Sequence, residues 1–318
     1  MFGIKTKIMR LAAGAAYRSQ YAPAKGSPLE SLPLCRKFRL DIPTYDGSGQ
    51  IVHPDIFFDR TIGKYVLAFT PYPHTDDRFE NPCIAVSDDG IHFHEEKPGL
   101  NPLAPAPEKD HNDDPDISLH DGVYSLVYLE TVRPEYQNVV ALQSADRLTW
   151  KRKVLHHQEL AGNGGNLILS PAVIWTGGSC RCFFVMGNYE SGHRIFATSA
   201  PTLEELDFAG ASPLDIEGIP TGLLPWHLDV FPDGAGGYVM LLTLVAPDGK
   251  RGGKGGHYFL HVARSDNLTD WTLSPAPVLT NCYRSSGFVK DGILYIYFSS
   301  NFWGDEWKTG LYKIALGG

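Results

Sequence analysis

Residues 53–58 read His-Pro-Asp-Ile-Phe-Phe and residues 114–119 read Asp-Pro-Asp-Ile-Ser-Leu. Related stretches recur at 170–175 (Ser-Pro-Ala-Val-Ile-Trp), 227–232 (His-Leu-Asp-Val-Phe-Pro) and 285–290 (Ser-Ser-Gly-Phe-Val-Lys). Anchored on the third residue, the copies sit at Asp55, Asp116, Ala172, Asp229 and Gly287, with steps of 61, 56, 57 and 58 residues. So regular a step marks a structural repeat. Each anchor leads through a turn to an apolar run: KYVLAFT, GVYSLVYL, CRCFFVMG, GYVMLLTLV and ILYIYFSS. In three copies a later Ser (Ser87, Ser144, Ser265) precedes an aromatic by six residues (Phe93, Trp150, Trp271). In another the gap, from Ser199 to Phe208, is nine. Polar pairs between Ser and aromatic suit a tight hairpin, after which the aromatic is expected to pack on the neighbouring sheet.

Strand, turn, strand, loop, strand, turn, strand at this period is one propeller blade. The chain is therefore expected to be all-β: a five-bladed β-propeller of four-stranded antiparallel blades. Helical signals are nearly absent, and TLEELDF is too short to count. The fifth unit ends at LYKIAL (311–316), one strand short, and CRKFRLDIP (35–43) is the segment expected to close the ring. Closure removes an open sheet edge. Residues 1–34 are read as an N-terminal extension and 35–318 as a single propeller domain.

Composition agrees. With 43% hydrophobic and 20% charged residues the chain is globular, and 33 Gly, 23 Pro and 12% aromatics favour short strands and turns. A formal charge of -8 argues against nucleic acid as a partner, since phosphates would be repelled. The five Cys are scattered and match neither a zinc spacing nor a disulfide framework, so they read as buried thiols. The N-terminus, MFGIKTKIMRLAAGAAYRS, carries early positive charge and a short apolar patch broken by Arg10. That is too short for a membrane span and leaves open a degenerate signal peptide. The protein is expected to be soluble, cytoplasmic or, if that signal operates, secreted or periplasmic. Its oligomeric state is not legible.

A propeller gathers the starts of its innermost strands, and the loops between second and third strands, at one mouth of the central channel. The first strands bring His53, Asp55, Asp114, Asp116, His227, Asp229 and Arg284. The loops bring Glu80, Asn81, Glu130, Arg133, Glu190, His193 and Trp303. A bare Asp on a packed inner strand is costly unless paired or solvated. The plain alternative is that each caps a strand start through a backbone amide. Convergent carboxylates are what glycoside hydrolysis requires, one as acid and one as base or nucleophile, and crowding them raises one pKa. Trp226, Trp303, Trp307, Tyr72 and Tyr283 are candidates to stack on sugar faces or, equally, to pack between blades. The density of Asp and His is compatible with a structural ion such as Ca²⁺ in the channel, though the spacing names no metal, and no cofactor is required.

At these residues the chain resembles the five-bladed propeller superfamily that contains glycoside hydrolase families 43, 32, 62, 68, 117 and 130. The matching features are His53-Pro54-Asp55 in blade one, Asp114-Pro115-Asp116 in blade two, and the Ser-Asp-Asp-Gly-Ile-His-Phe hairpin at 87–93. The resemblance covers the architecture from about Asp41 onward. It implies Asp55 as base or nucleophile, and Asp116 or its neighbour Asp114 as the Asp that orients substrate. The general acid, a blade-three Glu in families 43 and 32, falls here on Ser170-Pro171-Ala172, which holds no carboxylate. Glu190, Glu130, Asp229 and His227 are the substitutes, with Glu190 favoured for lying on the same blade. His53, Glu80, Asn81, Asp114, Glu130, Arg133, Trp226, His227, Arg284 and Trp303 are expected to bind substrate. The function so implied is cleavage of a glycosidic bond in a poly- or oligosaccharide, with a bacterial surface or capsular polysaccharide the expected source. The alternatives are a sugar-binding propeller without turnover and a phosphorylase in which Arg133, Arg194 and Arg284 hold phosphate.

Overall fold

The computed structural model describes residues 2–21, 40–188, 192–246, 257–301 and 306–316. Five antiparallel sheets stand radially about one axis, in chain order. Their innermost strands are Ile51–Asp59, His111–His120, Leu167–Thr176, Leu224–Pro232 and Arg284–Lys290. The expected five-bladed propeller is the observed one. Apolar sheet faces pack blade on blade, as where Met240 and Leu242 of blade four meet Phe183 and Val185 of blade three.

The recurrent Ser works as a hairpin clasp. Ser87 Oγ accepts from the Gly90 amide at 2.8 Å, while Asp89 Oδ1 accepts from Ile91 and His92. Ser144 with Asp146, and Ser265 with Asn267, repeat the arrangement. The aromatic beyond each clasp packs on the preceding blade: Phe93 against Tyr297, Trp150 beside Val66 and Ile84, and Trp271 against Phe183. In blade three the longer gap accommodates a 3₁₀ turn at Leu203–Glu205.

The anchors reveal why the repeat is periodic. Asp55 Oδ2 accepts from the Ile117 amide of blade two at 2.6 Å, and Asp116 Oδ2 from Val173 of blade three at 3.1 Å. Asp229 Oδ2 accepts from Gly287 of blade five at 2.9 Å, and Ser286 Oγ from Ile56 of blade one at 2.9 Å. Each anchor thus staples its blade to the amide one residue past the next anchor. By this geometry the fifth anchor is Ser286, not Gly287, a one-residue correction to the repeat. Ala172 has no side-chain oxygen, so the seam between blades three and four lacks a staple at the anchor and is packed with apolar side chains. A neutral hydrogen bond contributes about 0.5–1.5 kcal/mol net, so the four staples together help to fix blade register.

At the seam where the ring closes, Leu40 donates to the Thr309 carbonyl of blade five at 3.3 Å, while Asp41 donates to the Ile91 carbonyl of blade one and its own carbonyl accepts from the Phe93 amide. Residues 35–39 of the expected closing strand lie outside the described residues. The N-terminus departs from the reading of a helix-poor chain: Phe2–Tyr21 is a helix. Its Ala-rich second half, LAAGAAYRSQ, carries high helix propensity. Gly14 lies so close to the Gly222 carbonyl that an added Cβ would sit 3.1 Å from it. Tyr17 packs edge-on against Phe259 and bonds His261 Nε2 at 2.8 Å. The helix therefore docks on blade four. Among the described residues no helix is long and apolar enough to cross a membrane.

Candidate active site

The inner strands of blades one to four carry a β-bulge, which takes in the position two residues before the anchor in blades one to three and falls on Trp226, just ahead of that position, in blade four. The bulge turns one extra side chain towards the axis, and in three blades it holds a non-glycine residue at positive φ: His53 at 53°, Asp114 at 50° and Ser170 at 49°. With His227 and Arg284 of blades four and five these form a ring of five side chains of four kinds, one layer above the anchors. Left-handed backbone costs such residues about 1–2 kcal/mol each, and bulges of this kind concentrate where a side chain must be re-aimed.

Asp114 is the hub of the ring. Its Oδ1 lies 2.5 Å from Arg284 Nη1, 3.4 Å from His53 Nε2 and 3.4 Å from His227 Nδ1. Its Oδ2 accepts from the Ser170 amide at 2.8 Å. Burial opposes its charge, but the imidazoles, the guanidinium and that amide together hold its carboxyl well below the ordinary range. Burial pushes His227 well below the usual imidazole pKa, against the pull of Asp114. His53 moves the other way: burial lowers it, but Asp114 on one side and Glu80 on the other prevail and raise it. His53 Nδ1 sits 3.4 Å from Glu80 Oε2 and 3.2 Å from Thr70 Oγ1. Burial raises the Glu80 carboxyl, against the pull of His111 and His53, so Glu80 holds a proton more readily than an ordinary Glu.

His111, which the sequence reading passed over, joins the site beside Glu80. Burial would strip its proton, but Glu80, Asp110 and Asp113 push its pKa up to about 11. It is a fixed cation, 2.5 Å from Asp110 and 3.0 Å from Asp113. Its signal was present in the sequence as His111 preceding Asp113 and Asp114, but an isolated His between acids looks like a solvated loop. Facing this charged side is an aromatic wall. Tyr283 stacks at 4.8 Å from His227 and 5.8 Å from His53, and contacts Tyr258, Trp226 and Trp307. Tyr72 extends the wall through Trp307 at 5.3 Å.

The other named residues divide clearly. Asp55, Asp116 and Asp229 converge, with ligand atoms all within 4.8 Å of one another, but they lie in the buried anchor layer, and each bonds the next blade's amide. Arg284 is buried in the axis between the two layers, where it also bonds Ser170 Oγ and the Pro115 carbonyl. Asn81 bridges Tyr45 and Asn112, and Glu130 bonds Asn138 and pairs with Arg152. Arg133 forks onto Asp110 at the rim and Arg194 sits 3.5 Å from Asp215. Trp226 contacts His193 and His227 in the aromatic wall. Glu190 and Trp303 lie outside the described residues.

His53, Asp114 and His227 offer three ligand atoms within 4.8 Å of one another. Two imidazoles and a carboxylate so placed could hold a divalent metal ion. His227 Nε2 is buried and finds no hydrogen-bond partner among the described residues, as expected of a lone pair kept for a ligand.

No protein-family model matches the sequence, and no curated protein sequence matches it. The architecture is that of the five-bladed propellers that include solved glycoside hydrolases. An N-acetylgalactosamine deacetylase from F. plautii, solved with blood group B trisaccharide, superposes with a TM-score of 0.71 at 17% identity, over 88% of this chain and 94% of that one. A thermostable family-43 glycoside hydrolase gives 0.61 at 12% identity, over 83% and 89%. A member of family 130, whose report concerns mannoside phosphorylases and hydrolases of β-1,2 mannosidic linkages in Candida mannan, gives 0.54 at 16%, over 83% and 84%.

Proposed function

We propose that the chain is a carbohydrate deacylase, a hydrolase that removes an acyl group, above all N-acetyl, from a sugar at a divalent-metal site. The observation that carries this reading is the His53–Asp114–His227 donor set in the channel mouth, with the bare Nε2 of His227. When bound there, a divalent ion polarises the acyl carbonyl and lowers the pKa of water. The chain's own groups supply the rest. Glu80, a buried carboxylate beside His53 whose pKa burial raises, takes a proton from the attacking water and passes it to the departing nitrogen. Tyr283 and Tyr72, the partly exposed members of the aromatic wall backed by Trp226 and Trp307, give the sugar ring an apolar surface to rest on. Ser170 at the place of the blade-three acid favours this chemistry over glycosidic cleavage. The deacetylase among the similar structures, at a TM-score of 0.71, points the same way.

A second reading, glycoside hydrolysis, is favoured by one observation: Glu80 is pushed up while Asp114 is held down, the divergence that separates an acid from a base. In that reading the expected pair is Glu80 and Asp114, and not the stapled anchors. One assay separates the two. Purified protein is offered N-acetylated oligosaccharides and aryl glycosides, before and after chelation, with released acetate and released sugar both measured. Acetate release that is lost on chelation and returns with added divalent metal supports the deacylase. Sugar release indifferent to chelation overturns it.

A further inference from the structure

The blade-three position where a carboxylate is missing has a task of its own. Ser170 is fully buried and holds φ at 49°, a conformation that costs a Ser about 1 kcal/mol or more. That backbone twist aims two of its groups at the axis together. Its amide donates to Asp114 Oδ2 at 2.8 Å, and its hydroxyl oxygen lies 2.6 Å from His227 Nδ1. Arg284 Nη1 donates to the same hydroxyl oxygen at 3.1 Å.

These contacts decide which nitrogen of His227 carries the proton. On its other side Nδ1 faces Asp114 Oδ1 at 3.4 Å, an acceptor with no proton to give. A bare Nδ1 would set its lone pair against a carboxylate, whereas an Nδ1–H is attracted to it and donates to Ser170 Oγ. Nε2 is then bare, in keeping with its lack of a partner among the described residues. Metal-binding histidines are oriented in this way, with the second ring nitrogen donating to a fixed acceptor. His53 repeats the arrangement, with Nδ1 beside Thr70 and Glu80.

We infer that Ser170 is a positioning residue that fixes His227 as the Nδ1–H tautomer and leaves Nε2 bare towards the mouth. The tautomer stands on geometry alone; the effect on turnover rests on the deacylase reading above. The test is nitrogen NMR of protein labelled in its histidines, at pH 8 and without metal, with His227 assigned by comparison with His227→Gln. Wild type is expected to show the proton on Nδ1. Ser170→Ala, which keeps the amide and loses the hydroxyl, is expected to shift population to Nε2–H. It should also lower kcat about 10- to 100-fold with KM little changed, the usual cost of losing an orienting partner. A wild-type His227 protonated on Nε2, or a tautomer unmoved in Ser170→Ala, overturns the inference. The wild-type spectrum decides it even if the variant does not fold. Absence of acetate release alongside an Nδ1–H spectrum rejects the deacylase and leaves the tautomer assignment standing.

Discussion

Replacing Asp229 by Asn should make the propeller more stable at pH 8 and make no such difference at pH 4. Asp229 is buried beside Asp55 and Asp116, and burial followed by the Asp55 charge raises its pKa from 3.8 to about 7. The native state therefore binds the proton more tightly than the unfolded chain does. The stability this contributes is fully present below the unfolded pKa and is lost as pH rises through about 7. A shift of roughly three units corresponds to up to about 4 kcal/mol, a large share of the 5–15 kcal/mol that holds a typical domain folded. Asn keeps a carbonyl oxygen for the Gly287 amide and never ionises. The assay is urea unfolding of both proteins from pH 4 to 8, taken as a difference so that groups common to both cancel. The account expects the gap to open in favour of Asn between about pH 4 and 7 and then level off. A gap that stays constant with pH, or opens the other way, would refute the claim that the anchor layer buries its carboxylates at a cost.

Two other substitutions test the frame. Arg284→Met leaves Asp114 buried without its guanidinium, and should cost about 3–5 kcal/mol in denaturant unfolding. Tyr17→Phe removes the hydroxyl that bonds His261 and should cost about 1 kcal/mol, with faster proteolysis at the N-terminal helix.

The blade repeat was legible because every blade needs the same apolar runs, clasped hairpins and anchor. The anchors' recurrence reads equally as convergent catalytic acids or as backbone caps. The structure shows that they do converge, and that each one caps the next blade's amide. The fifth anchor was read one residue late because Ser286 performs by hydroxyl what elsewhere needs a carboxylate, and Gly287 lines up only by eye. The functional ring above carries no periodic signal at all. His53, Asp114, Ser170, His227 and Arg284 share a position two residues before the anchor, but only the two His agree in chemistry, so the fold and not the side-chain pattern aligns them. Several were named individually from sequence as ligands of substrate. Ser170 registered only as a missing Glu, and His111 not at all, because their partners lie on other blades. The N-terminal helix was missed because a basic, Ala-rich leader with one Arg in its apolar patch resembles a processing signal more than a docked element.

The account places the chemistry in the ring that holds Asp114 and gives a structural task to Asp116, two residues along the same strand. Acetate release by Asp114→Asn and Asp116→Asn, measured side by side with metal supplied, compares the two layers under one fold. The account predicts a loss of at least about a hundredfold for Asp114→Asn, while Asp116→Asn, whose Asn can still accept from the Val173 amide, keeps most of its turnover. The reverse ranking would contradict it.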